Sequence, residues 1–137
     1  MAEHVNTQPG RVVIVEDDAM FVDALKARLK RAEGIEVVAS AQDGTAGLDL
    51  VAQHRPDVLL LDLGLPGMSG DEVAQRVVTS FPDVAVLVLT GYPDFNRAKT
   101  LMDQGVRGFL LKTLFGERLD AAVRAVARGQ KVMLSAP

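Results

Sequence analysis

Five short aliphatic runs alternate with longer segments of helical period, and this alternation constrains the fold more than any other feature of the chain. The runs are Val12–Val15, Ile35–Ala39, Val58–Leu61, Val84–Leu89 and Val106–Leu111. Most are apolar on successive residues rather than on alternate ones, which implies strands covered on both faces, the condition of a parallel sheet flanked by helices. With 137 residues, of which 48% are hydrophobic and 24% charged, the chain can build one core and has no room for a second domain.

The intervening segments carry helix signals. Val22, Leu25 and Leu29 mark a first helix, capped by Asp18 and ended by Gly34. A second, Thr45–His54, stops before Pro56, which disfavours helix at Arg55. Ser69 and Glu72 stand at capping-box spacing before Val73, Val77 and Val78, and Phe81-Pro82 breaks that third helix. A fourth runs from about Asp94 to Gln104, and a fifth places Leu119, Ala122, Val123 and Val126 on one face and ends at Gly129. The expectation is an α/β fold, a (βα)5 doubly wound five-stranded parallel sheet in the flavodoxin-like order 2-1-3-4-5, with right-handed crossovers. Residues 1–10 read as a mobile leader, 11–130 as the folded domain, and 131–137 as a C-terminal tail or the start of a linker.

Composition excludes several functions. Fifteen basic against eighteen acidic residues give a net charge of −3, the wrong balance for a nucleic-acid surface, so this chain alone is not expected to bind DNA. With no cysteine, disulfides, thiolate catalysis and iron–sulfur clusters are absent. The longest apolar runs fall far short of the roughly 20 residues that span a bilayer, and residues 1–10 lack the apolar stretch of a signal peptide. The cytoplasm is the expected compartment, with no membrane partner.

Open α/β sheets bind ligands at the carboxyl ends of their strands, and those positions are chemically rich here. The first run is followed by Glu16-Asp17-Asp18, the third by Asp62, the fourth by Thr90-Gly91 and the fifth by Lys112-Thr113. In the expected strand order Glu16, Asp17 and Asp62 face one another, and carboxylates sharing a pocket either raise a pKa or recruit a cation. Magnesium suits a site with one or two carboxylates and a backbone carbonyl, whereas calcium needs more protein oxygens. Lys112 and the Thr90 hydroxyl add a charge and a donor fit for a phosphoryl group, and Asp62 is the candidate nucleophile for an aspartyl-phosphate. Each of these residues taken singly also reads as a helix cap, a turn residue or a solvated side chain. It is their shared sheet edge that favours chemistry.

These segments together resemble the receiver domain of bacterial two-component response regulators over Arg11 to about Gln130. The resemblance rests on Val-Ile-Val-Glu16-Asp17-Asp18, on Pro56-Asp57-Val-Leu-Leu-Leu-Asp62-Leu-Gly-Leu-Pro66-Gly67-Met68-Ser-Gly70, on Val-Leu-Val-Leu-Thr90-Gly91 and on Gly105-Val-Arg-Gly108-Phe109-Leu-Leu-Lys112. It implies that Asp62 accepts phosphate, that Asp17 ligates magnesium directly and Glu16 through water, and that Gly64 offers its carbonyl to the metal. It further implies that Thr90 binds the phosphoryl group, Lys112 pairs with it, and Phe109 is a rotamer switch. The implied partner is a sensor histidine kinase, and a homodimer is compatible with the family.

Two departures from the family pattern stand out. Thr113 follows the lysine where many receivers have proline, which disfavours a cis peptide there. The two positions that tune phosphate lifetime in the family hold Gly64, with no side chain to orient a water, and Tyr92, read as a shield over the site. The stretch Leu119–Pro137 is similar to NarL/LuxR-type receivers, which continue into a DNA-binding helix-turn-helix. The implied function is a phosphorylation-dependent switch controlling transcription through an output domain outside this chain, which is then either a piece of a longer regulator or a stand-alone receiver.

Other classes fit less well. A haloacid-dehalogenase-like phosphatase requires a second Asp where Gly64 stands, and a flavodoxin-like carrier requires a hydroxyl-rich phosphate loop where Glu16-Asp17-Asp18 stands. A receiver-like module that has lost phosphorylation is disfavoured because every chemical position is filled.

Overall fold

Within a continuous apolar run the strand period of two still divides the side chains between two faces. In the computed structural model, which describes residues 10–134, Val13, Val15, Leu59, Leu61, Val86, Val88 and Phe109 turn to one face of the sheet, while Val12, Ile14, Val58, Leu60, Leu87 and Leu110 turn to the other. All of them are buried. The strands are β1 (Gly10–Val15), β2 (Ile35–Ala41), β3 (Val58–Asp62), β4 (Ala85–Thr90), β5 (Gly108–Leu111) and β6 (Val132–Leu134). The helices are α1 (Ala19–Lys30), α2 (Gly44–His54), α3 (Gly70–Ser80), α4 (Phe95–Asp103) and α5 (Glu117–Ala127). The first face packs on Val51 of α2, Val73 and Val77 of α3, and Ala98 and Leu101 of α4. The second packs on Val22, Leu25 and Leu29 of α1 and on Leu119, Val123 and Val126 of α5.

All strand pairings are parallel, in the order β2-β1-β3-β4-β5-β6. The expected five-stranded sheet is therefore corrected to six strands, with the first five in the expected order. The extra strand forms because Gly129, at φ 87°, reverses the chain after α5 and lets Val132 N donate to Arg107 O at 2.9 Å. Phe109 is thereby paired with Met133 and Leu110 with Leu134. The residues read as a tail or linker thus include a strand, and 135–137 lie outside the described residues. So does the proposed leader apart from Gly10, which opens β1 opposite Ile35. At the other border the β1–β2 register slips between Val12 and Val13, so that Val38 is an extra residue bulged out of β2.

Side-chain caps fix the starts of α1 to α4, whereas α5 starts after Gly116 with no side-chain cap. Asp18 accepts from Met20 N and Phe21 N, Asp43 from Ala46 N, Ser69 from Glu72 N, and Asp94 from Arg97 N. Glu72 turns outward to Arg76 instead of completing a capping box. Across the second face, Arg28 of α1 makes a two-pronged ion pair with the buried Asp120 of α5. No cis peptide bond occurs among the described residues, including Lys112-Thr113. No described helix is long and apolar enough to cross a membrane.

Candidate functional site

Register carries the chemical residues to one edge. Val15 pairs with Leu61, so Glu16 and Asp62 follow at adjacent strand ends, and Asp62 in turn pairs with Leu89, one residue before Thr90. Thr90 pairs with Leu111, and its carbonyl accepts from Lys112 N at 2.7 Å. The strand ends thus place Glu16, Asp62, Thr90 and Lys112 in a row, and the following loop adds Asp17.

The acidic members converge as expected. Glu16, Asp17 and Asp62 each offer a carboxylate oxygen within 4.8 Å of the others, a cluster able to hold a metal ion. Asp17 is exposed, while Glu16 and Asp62 are buried. Gly64 lies alongside, since a Cβ at its position would stand 3.8 Å from Asp62 Oδ2. The loop beyond is held by a close approach at Gly70, where a Cβ would fall 2.5 Å from Asp62 O and 2.5 Å from Leu63 Cα. Only glycine lets α3 start this near the strand end.

Lys112 Nζ bonds to Glu16 Oε1 at 2.5 Å and stands 3.4 Å from Asp62 Oδ1. Burial pushes Glu16 up to about 7; the Lys112 bond opposes this and the neighbouring Asp62 adds to it. For Lys112, burial pulls downward, but Glu16 and Asp62 together outweigh it and leave the amine raised. The lysine is charged, and the site holds one resident cation amid three carboxyl groups. Its Nζ also sits 4.8 Å from the centre of the Phe21 ring, which tilts against Phe115 at 6.2 Å. Sequence reading missed Phe21, because an aromatic in the first turn of a helix carries no signal of what faces it.

Thr90 is buried, and its hydroxyl is engaged by its own loop: it accepts from Tyr92 N and donates to Tyr92 O, both at 3.3 Å. Tyr92 is 81% exposed, so it does not roof the site as expected, and it is the Tyr92 backbone that meets Thr90. Phe109 lies away from the carboxylates, buried on the first face of the sheet with Val88, Ala98 and Leu101.

This arrangement is that of a known family. The model of the response regulator receiver domain matches residues 12–124. The chain is 35% identical over 129 residues to the transcriptional regulatory protein DegU of Brevibacillus brevis, covering 94% of this chain and 55% of that protein. It is 38% identical over 120 residues to the oxygen regulatory protein NreC of Staphylococcus carnosus, covering 87% and 55% respectively. It therefore spans about half the length of these relatives. Among solved structures, the signal receiver domain of a NarL response regulator from Mycobacterium tuberculosis superposes with a TM-score of 0.85 at 33% identity, over 90% of this chain and 99% of that one. A LuxR-family two-component response regulator from Aurantimonas superposes with a TM-score of 0.86 at 25% identity, over 92% and 90%. A sheet-edge acidic cluster with a lysine set into it, a matching family model and these relatives make the chain a member of the response regulator receiver domain family, of the NarL/LuxR type.

Proposed function

We propose that the chain is a phosphorylation-dependent signalling switch that takes a phosphoryl group from a partner sensor histidine kinase onto Asp62. In the whole protein the switch controls transcription through an output domain, and it acts in the cytoplasm. The observation that carries the reading is the position of Lys112 Nζ, bonded to Glu16 and 3.4 Å from Asp62 Oδ1, at the lip of the three-carboxylate cluster.

An Asp62 oxygen attacks phosphorus, the P–N bond to the kinase histidine breaks, and its electron pair stays on the imidazole nitrogen. Lys112 has only a short distance to move to give a phosphoryl oxygen a charged donor. The Thr90 hydroxyl, released from Tyr92, supplies a second donor. Glu16, Asp17, Asp62 and the Gly64 carbonyl would hold magnesium, which when bound supplies positive charge against the transferring oxygens. Phe109, one strand over from Thr90 and next to Met133, carries the change toward α4, α5 and β6. A ligand shifts such an equilibrium only by bonding better to one state.

The test is intact-mass analysis after incubation with magnesium and acetyl phosphate. A single acid-stable, base-labile phosphoryl adduct is expected, and it should vanish in Asp62→Asn and when the metal is chelated. An adduct that persists at full yield in Asp62→Asn overturns the assignment.

A further inference from the structure

The segment that follows Thr90 is tied to a neighbouring helix by one ion pair. Residues 91–96 are all exposed, and the first residue to turn back toward the protein is Arg97, in the first turn of α4. Its Nε donates to Asp71 Oδ2 at 3.0 Å and its Nη2 pairs with Asp71 Oδ1. Asp71 is the second residue of α3, directly after Gly70, and Gly70 seats the helix against the backbone of Asp62 and Leu63. The anchor point is therefore fixed to the strand end that carries Asp62. The Asp71 carboxylate holds the Arg97 guanidinium above its ordinary value against the effect of burial, with smaller contributions from Asp94 and from Asp62, which puts Arg97 within electrostatic reach of the cluster.

The same loop keeps the Thr90 hydroxyl bonded to Tyr92. Thr90 cannot give its proton to a phosphoryl oxygen and to Tyr92 O together, so filling the site breaks a bond of the resting loop. The two-pronged Arg97–Asp71 pair favours the resting loop, because it ties the start of α4 to the start of α3.

We infer that Arg97 is a positioning residue for phosphoryl acceptance: paired with Asp71, it latches the loop between β4 and α4 in the resting arrangement, and loosening this latch makes the site easier to fill. This rests on the reading of Asp62 as phosphoacceptor. Binding to a protein whose competent state is partly populated is weakened by that fraction, so a variant that destabilises the resting state binds a phosphoryl mimic more tightly.

The sign of the effect separates the latch from simple electrostatics, which predicts weaker anion binding when a nearby cation is deleted. The experiment titrates the chain with beryllofluoride in the presence of magnesium and follows intrinsic fluorescence. Tyr92 is the only tyrosine and there is no tryptophan, so the signal arises in the loop itself. Arg97→Gln and Asp71→Asn should each tighten the apparent affinity by about two- to fivefold, the scale of a half-exposed ion pair. The double variant should match either single one, since only one pair is lost, and Arg97→Lys should fall between wild type and Arg97→Gln. If wild type binds and Arg97→Gln binds equally or more weakly, the latch is overturned while the phosphoacceptor reading stands. If wild type does not bind beryllofluoride at all, the phosphoacceptor reading falls and the latch falls with it.

Discussion

Lys112 is bonded to Glu16 at 2.5 Å and stands 3.4 Å from Asp62, so in the resting site its charge serves the buried Glu16 carboxylate first. Lys112→Met strands Glu16 without a cation. At neutral pH this should cost about 1–3 kcal/mol of stability, the penalty of a buried group that loses its partner. The penalty should shrink as pH falls through about 7, where Glu16 takes up a proton and no longer needs the lysine. Urea midpoints of wild type and variant across pH measure this, and a gap of constant size would count against it.

Glu16 itself makes folding pH-dependent. Its carboxyl titrates at about 7 in the folded chain against 4.5 ordinarily. Between these values the folded state binds the extra proton, so the stability that Glu16 contributes is full at acid pH and is lost as pH rises through about 7. Without metal, the stability of wild type relative to Glu16→Gln should fall across that window, by something on the order of 1–3 kcal/mol. A relative stability that stays flat with pH would mean that the carboxyl is solvated, and one that rises would mean that Lys112 holds it ionised.

Asp62→Asn removes one of three repelling carboxylates from a cluster that the unfolded chain does not have. In metal-free buffer it should melt a few degrees above wild type. Magnesium should raise the melting temperature of wild type by binding the folded state, and raise that of the variant much less. Equal shifts in the two proteins would show that Asp62 takes no part in holding the ion.

Gly70→Ala tests the close approach under the site. The added methyl would meet backbone atoms of Asp62 and Leu63, both at 2.5 Å, and backbone cannot swing aside as a side chain can. The start of α3 must move outward, at a cost of about 1–3 kcal/mol. Magnesium binding should weaken as well, because Gly64 lies on the loop that joins Asp62, at the end of β3, to the displaced helix start. Destabilisation with unchanged metal affinity would separate the seat of α3 from the geometry of the cluster.

What was legible in the sequence follows physical lines. Val58–Leu61 and the Ser69 cap announce themselves through local chemistry, and the strand-end rule of parallel sheets puts Glu16, Asp62, Thr90 and Lys112 on one edge before any coordinate is known. What escaped is long-range pairing between side chains that look like ordinary solvated charges. Nothing near Arg97 points to Asp71, 26 residues earlier, and nothing near Arg28 points to Asp120, 92 residues later. The sixth strand escaped because three residues after a Gly-containing turn carry too little pattern to stand out from a tail. The direction of the Thr90 hydroxyl is a matter of one rotamer, which no spacing encodes.

The two borders of the sheet also bear on how this chain behaves at high concentration. A row of unpaired amides and carbonyls on a long, flat border strand invites another chain to add itself, and repetition of that step builds fibrils. Here the bulge at Val38 bends one border out of the regular ladder, and the other border has been passed from β5, with its apolar Phe109-Leu110-Leu111, to a strand only three residues long. Neither side offers a straight template of useful length. β6 therefore acts as a guard against templated polymerisation, shielding the strand that carries Phe109 from capture by neighbouring molecules.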